Sequence, residues 1–168
     1  MLFRSPFSCT HHHHANDLCE YNDELYLSSF SYCHDGKNEI LKGAINKLDD
    51  NFHVVSSIET MPSPHSLCVF EDRLFFCSSG TSSVLSLNLN NNSHKLEIKC
   101  LEAWARGLLC TPNFFYLGYS AGNGRTKSVF TNDYGSIMKF NKTTGESKIF
   151  QTPFPNDNVY SILGIHEL

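Results

Sequence analysis

An all-β fold assembled from repeated four-stranded sheets is what this sequence predicts, and three observations carry that expectation. Short apolar segments return in one register: Asn16-Asp17-Leu18-Cys19 leads to Leu25, His65-Ser66-Leu67-Cys68 to Leu74, and Arg106-Gly107-Leu108-Leu109 to Phe115. The starts recur at roughly fifty-residue intervals, a period typical of sheet arrays in which each repeat is one supersecondary unit. Each segment is bounded by Asn, Asp or Gly turn residues, the punctuation of an antiparallel meander. Charged residues make up only 18% of the chain and aromatics 12%, a mix that suits packed sheets. Together these features predict a partial β-propeller: three four-stranded antiparallel blades plus the first strand of a fourth.

The elements follow in order. Residues 1–13 carry no repeat signal, and residues 14–168 form the repeat domain, with blades at about 14–61, 62–103 and 104–155 and a strand at 158–165. In each blade the two opening strands are followed by a third: Gly43 to Asp49, Ser82 to Asn88, and Gly135 to Asn141. The segment Glu39 to Leu48 also has helical spacing, with Ile40, Leu41, Ala44, Ile45 and Leu48 apolar. Gly43 in its middle and the register with the other repeats favour a strand. Polar turns at Asp50-Asn51, Asn90 to Ser93 and Lys142 to Gly145 introduce fourth strands at His53–Ile58, Lys95–Cys100 and Glu146–Gln151. Tyr160-Ser161-Ile162-Leu163 opens the next repeat.

One such sheet cannot cover both of its faces, so the blades are expected to stack radially. Propellers close with about four to eight blades, so three and a strand leave open edges that pair readily with other chains. The expected partner is a second copy of the chain or a missing propeller half.

Other classes are excluded. A net charge of −4 and a pI near 6.1 provide no basic field for nucleic acid. No run of about 18 apolar residues exists, so no membrane helix is expected. The start of the chain lacks the apolar core of a secretory signal, which leaves the sequons Asn91-Asn92-Ser93 and Asn141-Lys142-Thr143 idle. The seven cysteines form no C-x-x-C pair; Cys19, Cys68 and Cys77 fall in apolar strands, where a thiol packs as a small hydrophobe. A reducing, cytoplasmic setting is expected.

Pro64-His65-Ser66, Ser78-Ser79-Gly80-Thr81, Trp104-Ala105-Arg106-Gly107-Leu108, and Gly118-Tyr119-Ser120 with Arg125 together resemble the C-terminal half of a bacterial propeller-like family known only as a domain of unknown function. The resemblance spans Asn16 to Leu163. The Pro64-His65-Ser66-Leu67 start is also similar, more distantly, to the first strand of NHL and gluconolactonase-like propellers. Both resemblances imply the fold and leave the chemistry open.

Asn16, His65, Arg106 and Tyr160 occupy equivalent strand starts. In a propeller the first strand of each blade lines the central channel, so these side chains are expected to converge on one face. Two long insertions, Ser29 to Lys42 and Ala121 to Tyr134, are expected as loops on that face, carrying His34, Asp35, Asn123 and Arg125. The leading reading is a binding scaffold that holds a small anionic ligand or a peptide through Asn16, His65, Arg106, Arg125 and Tyr160. A propeller lyase or lactone-type hydrolase, with His65 as acid/base and Arg106 as oxyanion stabiliser, is the catalytic alternative. A structural remnant acting only through assembly is the third, in which the polar channel residues merely bond water and backbone.

No cofactor is expected. His14 and His65 are weak candidates for a divalent metal: a catalytic zinc needs three protein ligands, and no third sits at an equivalent start. The run His11 to His14 reads as a solvated tract. Gly118-Tyr119-Ser120-Ala121-Gly122 matches G-x-S-x-G, with Asp133 or Asp157 and then His166 following. A nucleophile elbow requires a strand-to-helix turn on a parallel sheet, and nothing here predicts one.

Overall fold

A computed structural model describes residues 13–35, 38–99, 104–120, 134–155 and 159–163. Twelve strands form three four-stranded antiparallel sheets, each a meander in chain order, and no helix occurs among the described residues. The first sheet contains β1 (His13–Tyr21), β2 (Glu24–Asp35), β3 (Asn38–Leu48) and β4 (Val54–Thr60). The second contains β5 (Pro64–Phe70), β6 (Arg73–Ser78), β7 (Ser83–Asn88) and β8 (Ser93–Lys99). The third contains β9 (Ala105–Cys110), β10 (Phe114–Tyr119), β11 (Tyr134–Asn141) and β12 (Ser147–Pro155). The segment from Glu39 to Leu48 is therefore strand: its helical spacing yields to the ladder with β2 and β4.

Local chemistry sets the turns. Asn22-Asp23 and Glu71-Asp72 join the first two strands of their sheets with φ between 47° and 59°, the left-handed pair that matches the twist of a two-residue hairpin. The third sheet cannot repeat this, because Pro112 fixes φ negative. There the chain takes a longer loop, in which Thr111 N–H donates to Phe114 O at 2.9 Å. At the end of each third strand an Asp or Asn oxygen caps the following turn. Asp49 Oδ1 accepts from Asn51 and His53 N–H, Asn88 Oδ1 from Asn90 N–H, and Asn141 Oδ1 from Thr143 and Thr144 N–H. These short polar side chains mimic a backbone turn.

Two cores lie between the sheets. Tyr26 and Ile45 of the first sheet pack with Leu74, Phe76, Leu85 and Leu87 of the second. Phe75, Cys77, Val84 and Ile98 of the second pack with Leu108, Phe115, Leu117, Tyr119 and Met138 of the third. Successive residues of a strand point to opposite faces, so β6 sends Leu74 and Phe76 one way and Phe75 and Cys77 the other. The middle sheet is thus apolar on both sides. The close approach of β5 to the first sheet requires Gly43, where an added Cβ would stand 2.7 Å from Pro64 Cδ.

Two expectations are corrected. The insertion from Ser29 to Lys42 is not a loop: β2 and β3 continue to pair until Asp35 faces Asn38, because each backbone group gains a ladder partner by extending the hairpin. The expected strand at 158–165 is represented by 159–163, which joins no sheet among the described residues. That segment packs on the third sheet at two glycines. An added Cβ at Gly107 would stand 3.1 Å from Ile162 Cγ1, and one at Gly118 would stand 2.8 Å from Val159 Cβ.

Candidate functional site

The first strands of successive sheets are spatial neighbours: β1 lies beside β5, and β5 beside β9. All three are bulged near their starts. In β1 the register slips between Ala15 and Asp17, leaving Asn16 as the extra residue; in β9 it slips between Ala105 and Gly107, leaving Arg106. In β5 the slip falls between His65 and Cys68, where Ser66 adopts φ 56°. A bulge bends its strand and re-aims the side chain it carries; Asn16 and Arg106 are the extra residues of their bulges, whereas His65 pairs with Cys77 and the β5 bulge follows it.

Side chains fasten these strands together. Asn16 Nδ2 donates to Pro64 O at 2.7 Å, and Asp17 Oδ2 accepts the Leu67 N–H at 2.7 Å. The β5 bulge takes the Leu67 N–H out of its own ladder, and a carboxylate from the neighbouring sheet receives it. Ser79 Oγ donates to Ala105 O at 2.7 Å across the next junction. Asn16 thus spends its amide nitrogen on the fold. Asp17, its neighbour, carries an inter-sheet role that sequence reasoning missed; an acidic residue beside a strand start was the available signal.

Arg106 has the most distinctive surroundings. Its guanidinium carbon lies 5.1 Å from the Tyr160 ring centroid and 5.7 Å from that of Trp104, both within cation–π range. Among the described residues its Nε is buried without a hydrogen-bond partner, as is Ser120 Oγ. Buried polar atoms in native proteins are almost always satisfied, so each exception invites a functional explanation. Trp104, the chain's single tryptophan, was visible beside Arg106 in the sequence, but its stacking role depends on the fold.

His65 completes the cluster. Burial, together with the nearby Arg106 charge, lowers its pKa to about 4, so the ring is neutral at pH 7. Its centroid lies 6.1 Å from that of Phe30, which in turn stacks on His14 at 4.9 Å. Phe30 therefore contacts both histidines that the sequence offered as metal ligands. Among the described residues, no group of three or more His, Cys, Asp or Glu side chains is arranged to hold a metal ion.

His65, Arg106 and Tyr160 are thus linked, and Asn16 reaches them through the Pro64 carbonyl. Arg125, Asn123, Asp133, Asp157 and His166 lie outside the described residues, and no side-chain placement is described for His34 and Asp35. Gly118 and Tyr119 belong to antiparallel β10, with Ser120 directly after it, which is not the setting of a nucleophile elbow. Among the described residues no helix is long and apolar enough to cross a membrane. No protein-family model matches the chain, and no match is found among curated proteins.

Proposed function

We propose that the three sheets are blades of a β-propeller-type ring and that the chain is a binding scaffold for a small anionic ligand. The face formed by the starts of β1, β5 and β9 would take a carboxylate or phosphate, the carboxylate of a peptide terminus included. The observation that carries this reading is the buried Arg106 Nε, without a hydrogen-bond partner among the described residues, on a guanidinium near two aromatic rings. A guanidinium held by stacking keeps its donor edge for a planar or tetrahedral anion, which it binds bidentately. Neighbouring first strands and one sheet per repeat support the ring. The resemblance of the Pro64-His65-Ser66 and Trp104 to Leu108 motifs to propeller families belongs to the same reading. Completion of the ring by a second copy or a missing half follows from the open edges, with light scattering as its measurement.

The catalytic alternative is weaker on one specific ground. A general acid or base works best with a pKa near the operating pH, and His65 lies well below it. A neutral imidazole beside Arg106 serves instead as a hydrogen-bonding wall that adds no repulsion toward the guanidinium.

Calorimetric titration with citrate, succinate and inorganic phosphate tests the binding reading. Arg106→Ala should weaken the best anion by about tenfold or more, the value of one charge-assisted contact. Arg106→Lys should weaken it nearly as much, since lysine keeps the charge but loses the fork. Equal affinity in wild type and both variants would rule Arg106 out as the ligand contact.

A further inference from the structure

Five described cysteines lie in strands, and two of them meet across the junction of the second and third sheets, further along β5 and β9 than His65 and Arg106. Cys68 belongs to β5 and Cys110 to β9, the neighbouring first strands of the second and third sheets. The Cys110 backbone N–H donates to the Cys68 sulfur with N···S 3.4 Å. The Cys68 sulfur therefore sits at the root of the Cys110 side chain, and both residues are thiols. Cys68 is half-buried, whereas Cys110 is 7% exposed. Of the two residues Cys68 is the more exposed. Lys142 supplies a cation at the same place, its Nζ 4.3 Å from the Phe70 ring centroid and 4.4 Å from that of Phe115.

We propose that Cys68 and Cys110 are a reversible redox pair, in which a hydroperoxide oxidises Cys68 and Cys110 resolves it as a disulfide between the second and third sheets. The Cys68 thiolate attacks one oxygen of the peroxide, the O–O bond breaks, and the departing hydroxide or alkoxide takes a proton from water. Cys68 is left as a sulfenic acid. The Cys110 sulfur then attacks the Cys68 sulfur, the S–O bond breaks, and hydroxide leaves with the Cys110 proton as water. Two electrons pass from the two thiols to the peroxide, and a small dithiol reverses the change by exchange.

The electrostatics divide the roles in the same way. The Cys110 side chain chiefly, then its N–H and the Lys142 charge, lower the Cys68 pKa to about 7 against the opposing effects of burial and Asp17. The hydrogen bond between the two thiol side chains, reinforced by burial, raises that of Cys110. Cys19 of β1 also faces Cys68, but burial first, with Asp17 and Cys68 adding to it, raises its pKa to about 12. The groups around Cys68 are thus Cys19 and Asp17 from β1, Cys110 from β9, and Lys142 after β11. Reactivity follows the thiolate fraction and access, which singles out Cys68. The bond would pin the two strands that carry His65 and Arg106, coupling oxidation to the geometry of that face.

Peptide mapping of the intact chain tests this. The protein is treated at pH 7 with hydrogen peroxide, quenched with N-ethylmaleimide and digested without reductant. The expected product joins the Cys68 and Cys110 peptides and disappears on treatment with dithiothreitol. In Cys110→Ser, Cys68 should persist as a sulfenic acid that dimedone traps; in Cys68→Ser, Cys110 should survive the same dose unmodified. Oxidation of Cys68 no faster than that of Cys77 would overturn the proposal. So would a bond from Cys68 to Cys19, or over-oxidised Cys68 in the wild type with no link to Cys110.

Discussion

The first and last strands of each sheet live in different environments. β1, β5 and β9 are bulged, packed beside one another and fastened by side chains that reach across sheets. β4, β8 and β12 also carry register shifts, but they lie at the far edges of their sheets with large apolar residues in solvent: Val55 is 57% exposed, Leu96 56% and Phe150 46%. Position within the repeat, rather than residue type, makes the difference. A strand that neighbours the next sheet has donors and acceptors to share. An outermost strand meets chiefly its ladder and water, with single residues such as Ile58 of β4 and Ile98 of β8 turned to a core.

The comparison can be broken or sharpened by experiment. The largest effect is expected in the middle sheet, which both cores share. Phe76 is fully buried, and Phe76→Ala should cost about 3–5 kcal/mol through lost burial and the cavity left behind. Denaturant unfolding measures this, and a cost below about 1 kcal/mol would contradict the packing between the first two sheets.

Acid should act next, and at the inner strands. The folded-state pKa of His65 lies near 4 against an ordinary 6.5, so between these values the unfolded chain binds the extra proton. Stability contributed by neutral His65 is complete above about pH 6.5 and is lost as pH falls toward 4, up to about 3 kcal/mol. Melting curves across that window should show the slope, and His65→Phe should flatten it. An unchanged slope in the variant would place the acid sensitivity elsewhere.

Asp17→Ala removes the acceptor of the Leu67 N–H and leaves a bulge donor unpaired. Its expected cost is about 1.5–3 kcal/mol, with faster amide exchange at Leu67 as the local signature. The smallest effect belongs to the edges. Val55→Ser and Leu96→Ser should each change stability by no more than about 0.5 kcal/mol, while improving solubility if those edges drive association. A large loss in either would mean that the outer strands are covered in the folded state.

Much of this architecture was legible in the sequence because it is decided locally. The recurrence of Asp49, Asn88 and Asn141 at third-strand ends foretold a polar turn in each repeat, since a side-chain oxygen capping nearby N–H groups needs nothing from the rest of the chain. Equating Leu18 with Leu108 matched the sheet register, Leu18 facing Leu27 and Leu108 facing Leu117, whereas Leu67 falls in the β5 bulge. The insertion after Ser29 was misread because turn-rich composition marks a bend without saying how far the ladder runs before it.

The candidate site was only half visible. That Asn16, His65 and Arg106 share a position followed from the repeat. That Asn16 spends its amide on Pro64, while Arg106 keeps a buried Nε between Trp104 and Tyr160, did not. Sequence by itself determined strand, turn and register, which depend on alternation of side chains and on φ preferences over a few residues. Tertiary structure alone decided where the bulges fall, that Cys68 meets Cys110, and that His65 stays neutral. Each of those depends on groups distant in the chain, brought together when apolar faces on both sides of the middle sheet are buried.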